Sequence, residues 1–274
     1  MPHPFAGIAL HTWTLDTTDL PDALAAARDA GYDAVELRRV DFKRAFERGL
    51  SNAQVLDLVR ASRMTPSAVG VEYGWIFAQG AERERLFDVF RETCENAVAL
   101  NCPLLMSALG PGDGTIETAA ANVRAAGAIA QEFGLRLALE YQFQHPIVSR
   151  LEILRDIVAR AGQPNVGLLL DAYHLQRGGY PGGAFADVPA SEIFYFQYSD
   201  VPDAPPNGVP PTDRLPPGRG IVRWTEVFRL LAEKNYAGYL SYEGPNAAQW
   251  TRPPLQVATE ALDATRAALA AAFA

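Results

Sequence analysis

The chain switches between two hydrophobic periods from end to end, and it does so eight times. Short runs with strand character fall at 7–12, 34–38, 67–73, 103–107, 135–141, 166–171, 193–199 and 238–243. Longer stretches with helical character fill the gaps, at roughly 21–30, 51–63, 82–100, 115–133, 150–161, 183–190, 223–235 and 255–273. Leu86, Phe90, Cys94 and Ala97 recur at spacings of three and four, which paints one apolar stripe on a helix. Trp224, Val227, Phe228 and Leu231 do the same further on. Gly31, Gly134 and Gly162 stand where helices end and left-handed caps are needed. Ser149 and Glu152 have the spacing of a capping box before Leu151, Leu154 and Val158. Eight βα units without a long linker predict a single (β/α)8 TIM barrel, α/β in class, over residues 1–274. An open doubly wound sheet would carry a Gly-rich phosphate loop after its first strand, and His11–Asp19 there has no glycine.

Charge narrows the function. The formal net charge is −8 and the isoelectric point about 5.1, so nothing general attracts a phosphate backbone and nucleic acid is not an expected partner. Cys94 and Cys102 form neither a disulfide framework nor a metal-binding pair. No run approaches the roughly 18 apolar residues that span a bilayer, and the N-terminus lacks the pattern of a signal peptide. The expectation is a cytoplasmic enzyme with no membrane partner.

Barrels of this kind do their chemistry at the C-terminal ends of the strands. Four successive strands end there in oxygen donors: Glu140, Asp171, Gln197 and Glu243, with Ser199 and Asp200 just past the third. Strand alternation places Arg136, Ala138 and Glu140 on one face, and Tyr239, Ser241 and Glu243 on one face. One acid at a strand end can be a helix cap or half of a salt bridge. Three converging on one mouth repel each other unless a cation joins them, and several oxygen donors suit Mg2+ or Mn2+. Gln197, a neutral amide among three carboxylates, points the same way. His174, three residues past Asp171, is placed to line such a site. His11 and Trp13 follow the first strand, Trp75 the third, and His145 the fifth, and each is a candidate for substrate contact against a packing role. Glu36 and Glu72, on the second and third strands, either orient substrate or pair with Arg38, and the salt bridge is the simpler reading.

The segments LALEYQ, LLLDAYH, FYFQYSD and YLSYEGPN, with LPPGRGIVRW before the seventh helix, resemble the sugar phosphate isomerase/epimerase family of xylose isomerase-like barrels. The likeness runs through the whole chain, and its more specific mark is the Asp171-x-x-His174 spacing. It implies one divalent ion, Mn2+ or Mg2+ foremost with Co2+ and Zn2+ as further candidates, held by Glu140, Asp171, Gln197 and Glu243. Glu140 and Glu243 would move protons and His174 would polarise a substrate oxygen. The implied reaction is isomerisation or epimerisation of a small sugar, polyol or keto-polyol through an enediolate. A dehydratase of the 3-dehydroshikimate or keto-inositol type is the alternative, and a non-catalytic sugar-binding barrel a distant one. A multi-zinc nuclease on this barrel needs more histidine than the four present. Ketose 3-epimerases carry an arginine six residues past the third ligand, where this chain has Asp203. Arg214 or Arg219 in the Pro/Gly-rich loop 202–220 would have to replace it, and Arg219 is taken as the substrate-binding residue. A homodimer or homotetramer is implied as well.

Overall fold

A computed structural model describes residues 3–110 and 112–274. Its strands are β1 (Gly7–His11), β2 (Ala34–Leu37), β3 (Thr65–Gly70), β4 (Leu104–Ser107), β5 (Arg136–Glu140), β6 (Val166–Asp171), β7 (Ile193–Tyr198) and β8 (Tyr239–Tyr242). Each pairs in parallel with the next, and β8 closes onto β1, so the sheet is a closed barrel in sequence order. The helices are α1 (Leu20–Ala30), α2 (Arg39–Glu47), α3 (Asn52–Ser62), α4 (Gly80–Ala99), α5 (Ile116–Glu132), α6 (Leu151–Ala161), α7 (Ala172–Arg177), α8 (Trp224–Glu233) and α9 (Pro254–Ala272). The (β/α)8 reading holds. No helix among the described residues is long and apolar enough to cross a membrane.

Both faces of the strands are buried, as parallel sheets require. Leu137 and Leu139 of β5 face outward into a large apolar shell between barrel and helices. Ala138 of the same strand faces inward, with Ala68, Leu104, Met106, Leu169 and Tyr195, and these six fill the barrel's interior. Counting by twos from them leads to the polar mouth: Ala138 to Glu140, Leu169 to Asp171, Tyr195 to Gln197. Register shifts in β2–β3 and β6–β7 adjust this alternation, the second between Leu168 and Leu169. At the opposite end Arg136 stacks on Phe194, its guanidinium carbon 3.8 Å from the ring centroid.

Three local expectations are corrected. The sixth helix is not at 183–190; α7 starts directly after β6, because Asp171 Oδ1 accepts the Tyr173 N–H at 2.9 Å and caps it. The expected stretch holds only turns and a short 3-10 turn at Ala190–Glu192, in a run with Gly178, Gly179, Pro181, Gly182, Gly183 and Pro189 that disfavours a helix. Strand β3 lies at Thr65–Gly70, not 67–73. Ser149 caps nothing: the N-cap of α6 is Arg150, and the Ser149 carbonyl accepts from the Tyr141 hydroxyl. A capping box does occur in α3, between Ser51 and Gln54. Cys94 and Cys102 are free and buried.

The segment 199–223 between β7 and α8 is tied down by Asp200, which is fully buried. Its carboxylate accepts from the main-chain N–H of Val201, Gly218 and Val222 and from the Trp224 indole, all at 2.7–2.9 Å. Its own backbone makes a two-way bridge with Leu215. Asp200→Ala strips the partner from this whole set of donors. It is expected to cost about 3 kcal/mol, read as a shifted denaturant midpoint; an unchanged midpoint would show that the loop is held by something else.

Candidate active site

Glu140 ends β5, Asp171 ends β6, Gln197 lies next to last in β7, and Glu243 follows β8 directly. Asp171 is in register with Gln197, while Glu140 pairs with Leu169 and Glu243 lies two residues past Ser241, the partner of Gln197, so the groups are staggered around the mouth. All four side chains are buried. Donor atoms of Glu140, Asp171 and His174 lie within 4.8 Å of one another. His174 comes into the cluster from α7, whose start Asp171 itself caps.

A cation from the chain stands among these acids. Arg214 Nη1 donates to Asp171 Oδ2 at 2.6 Å and to Glu243 Oε2 at 2.7 Å. Its Nη2 stands 3.2 Å from His174 Nε2. A guanidinium has no acceptor, so His174 Nε2 accepts and its proton sits on Nδ1. Arg214 is buried, and its Cζ lies 4.4 Å from the Tyr173 ring centroid. The backbone is held from both sides: Arg214 N donates to Pro245 O, and Asn246 Nδ2 donates to Arg214 O.

Beneath the acids, Gln197 Nε2 donates to Glu36 Oε1 at 2.8 Å. That bond turns the amide so that Oε1 remains as its acceptor. His11 Nδ1 accepts from Trp13 N, which leaves the ring's proton on Nε2, 3.3 Å from Glu243 Oε1 and 3.7 Å from Glu36 Oε1. Glu140 Oε1 and Gln197 Oε1 are buried without any hydrogen-bond donor among the described residues. Two unpartnered oxygens beside Asp171 and Glu243 are a donor set that fits a hard divalent cation.

The mouth opens into a cavity of about 480 Å³ lined by Glu140, His174, Arg214 and Glu243 together with Trp13, Arg38, Tyr73 and His145. Trp13 and His145 therefore reach the site, His145 stacked on Phe77 with 5.3 Å between centroids. His11 reaches it through Glu243. Trp75 does not: it is buried against Phe87 and Phe90, and its indole donates to Ser107. Arg219 does not either. It lies exposed on the loop, and Arg214 is the arginine turned into the site. Glu72 pairs with Arg39 and Lys43, away from Arg38, whose partners are Asp16 and Asp41. Arg38 on the cavity wall and Glu36 under Gln197 carry more of the site than their positions in sequence suggest. Nothing periodic in the Pro-rich loop distinguishes Arg214 from Arg219.

Burial dominates the electrostatics. It lifts Glu243 from 4.5 to about 7, with Arg214 offsetting part of the rise. It lifts Glu140 well above the usual range, with Glu243 and Asp171 adding to it. Glu36 is raised to about 8, again by burial first. Burial also lowers His174 to about 3 and His11 well below 6.5, so both rings are neutral. Burial works against the charge on Arg214, but Asp171, Glu243 and Glu140 outweigh it and keep the guanidinium charged.

Comparison with known proteins bears out the barrel. A family model described as a xylose isomerase-like TIM barrel matches residues 24–268. An inosose isomerase of Halalkalibacterium halodurans is 25% identical over 238 residues, covering 84% of each chain. A 3-dehydroshikimate dehydratase of Pseudomonas aeruginosa is 27% identical over 254 residues; these cover 87% of this chain but 36% of that protein. A solved structure described as IOLI protein with a bound zinc atom has the same fold, with a TM-score of 0.85 and 19% identity over 98% of this chain and 99% of that one.

The raised carboxylates give a pH signature in chelator-treated protein. Their folded pKa values exceed the unfolded value of 4.5, so the folded chain retains protons that the unfolded chain has released. That stabilisation is complete below about 4.5 and is lost as pH rises through about 7 and 8. The buried histidines act oppositely, but only below 6.5. Between pH 6.5 and 8 stability is therefore expected to fall, by on the order of 2 kcal/mol. Unfolding curves across that window check this, and a flat or rising profile contradicts it.

Proposed function

The chain belongs to the xylose isomerase-like TIM barrel family, and from that premise we propose that it is a divalent-metal-dependent isomerase or epimerase of a small sugar, polyol or keto-polyol. The observation that carries the proposal is the pair Glu140 and Glu243. They are buried carboxylates from different strands, both on the wall of one cavity, with Asp171 and His174 beside them. Glu140, Asp171, Gln197 and Glu243 would hold the ion, with His174 close enough to take part. When bound, a divalent ion there supplies Lewis acidity to a substrate carbonyl and its neighbouring hydroxyl. That a relative's structure has zinc bound and that relatives are named inosose isomerase supports a metal and this reaction class.

The chain's own groups supply the proton transfers. A carboxylate with its pKa pushed up towards neutrality is a stronger base than a solvated one and still gives its proton back. One of Glu140 and Glu243 takes the proton next to the substrate carbonyl; the other returns a proton to the opposite face or to the adjacent carbon. His174 is neutral, and once Arg214 has left its Nε2 no other bond fixes the tautomer, so Nε2 can carry the ring proton and polarise a substrate oxygen. Trp13 and Tyr73 on the cavity wall exclude water from the reacting carbons.

A dehydratase reading is favoured by one feature. Arg214 lines the cavity and, turned from its acids, suits a substrate bearing a carboxylate, and a relative is named 3-dehydroshikimate dehydratase. The same proton abstraction, next to a carbon with a leaving hydroxyl, then ends in loss of water. A Mn2+- or Mg2+-supplemented screen of ketoses, inososes, hydroxypyruvate and 3-dehydroshikimate, run in D2O and read by NMR, separates the readings. Isomerisation or epimerisation conserves the substrate's mass apart from exchanged deuterium, and dehydration does not.

Glu243→Gln keeps the side chain's shape and removes its basicity. Turnover is expected to fall about 10³-fold with the circular dichroism spectrum unchanged; wild-type-like turnover would rule out Glu243 as a proton carrier. Chelation is expected to abolish activity and Mn2+ to restore it, and full activity in metal-stripped protein would sink the metal reading.

A further inference from the structure

Asp171 and Glu243 are claimed twice. They belong to the proposed donor set for a divalent ion, and they already share one nitrogen of Arg214, at 2.6 and 2.7 Å. Hard divalent ions sit about 2.0–2.6 Å from their oxygens. A guanidinium nitrogen bridging the same two oxygens leaves a second cation within a few ångströms of it, in a buried mouth where like charges repel strongly. Deprotonation offers no escape, because arginine stays charged in proteins. We propose that Arg214 is an internal counter-cation that competes with the metal for Asp171 and Glu243, so that metal loading swings its guanidinium off the acids and into the cavity.

The surroundings allow that movement and limit it to the side chain. The backbone at Arg214 is clamped by Pro245 and Asn246, and its neighbour Leu215 is bridged to Asp200. The guanidinium itself borders the 480 Å³ cavity. Its Nε is buried without a partner, so its present seat leaves a donor unsatisfied. The Tyr173 ring, 4.4 Å from Cζ, offers a cation–π surface beside the path. Moved into the cavity, Arg214 becomes a donor to substrate oxygens. Metal loading and presentation of this positive group would then be one event.

The inference rests on the metal reading, and the test distinguishes failure of one from failure of the other. Chelator-stripped wild type, Arg214→Gln and Arg219→Gln are titrated with MnCl2 in a calorimeter. Arg214→Gln is expected to bind Mn2+ roughly tenfold tighter or more, since among the described residues no other arginine or lysine touches Asp171 or Glu243, while the exposed Arg219→Gln matches wild type. In thermal unfolding, metal-free Arg214→Gln is expected to melt below wild type and to gain more from saturating Mn2+. Its turnover is expected to fall although its metal affinity rises, a split that a merely structural arginine does not produce. Equal or weaker Mn2+ binding by Arg214→Gln, with wild type binding, overturns the competition alone. No binding by either overturns the metal reading and the competition with it. If Arg214→Gln does not fold, Arg214→Met, uncharged and similar in reach, is judged by the same titration.

Discussion

Negative charge buried in the mouth of a closed barrel is the constraint that most of this structure answers. Glu140, Asp171 and Glu243 share one mouth, and Glu36 lies beneath them, all at most 5% exposed. An isolated charge in such a place is costly, and several together are costlier. The chain meets this in three ways. It retains protons on the carboxylates, ties Glu36 to the amide of Gln197, and places Arg214 between two of the acids, while His11 and His174 stay neutral and add no counter-charge. Oxygens of Glu140, Gln197 and Glu36 still stand unpartnered among the described residues, and the first two belong to the donor set proposed for a divalent ion.

The long loop after β7 follows from the same constraint. A loop delivering a buried cation must be rigid, because a guanidinium out of reach by an ångström or two leaves its acids unpaired. Asp200 supplies the rigidity from below, while Pro245 and Asn246 hold the strand-like turn around Arg214 from the side. The stretch that looks least regular in sequence is therefore firmly fixed where it matters. A fixed backbone with one long side chain bordering a cavity suits the exchange of partners proposed for Arg214.

The barrel was legible in the sequence because its signal is repeated: eight alternations of period, each reinforced by the next. Glu140, Asp171 and Glu243 were legible because strand parity and strand ends are both visible in the residue order. Arg214 was not, because a Pro-rich loop has no period, and only the fold decides that Arg214 turns inward while Arg219 stays in solvent. Trp75 misled for a related reason. It follows a strand, like Trp13, but the middle of α4 carries Phe87 and Phe90 against it and makes it core. Glu36 was read as a salt-bridge partner because sequence places it two residues from Arg38; alternation in fact carries it into the barrel, under Gln197. The sixth helix is not legible because Asp171 starts a short one at once, and the Gly- and Pro-flanked run at 183–190 forms only turns.

The position of the metal decides how these acids are used. A crystal grown with Mn2+ and measured for anomalous scattering locates the ion directly. The predicted result is one strong peak bounded by Glu140, Asp171, Gln197 and Glu243, with the Arg214 guanidinium withdrawn into the cavity. Density for Arg214 still bridging Asp171 and Glu243, with no peak in the barrel mouth at saturating Mn2+, would contradict it.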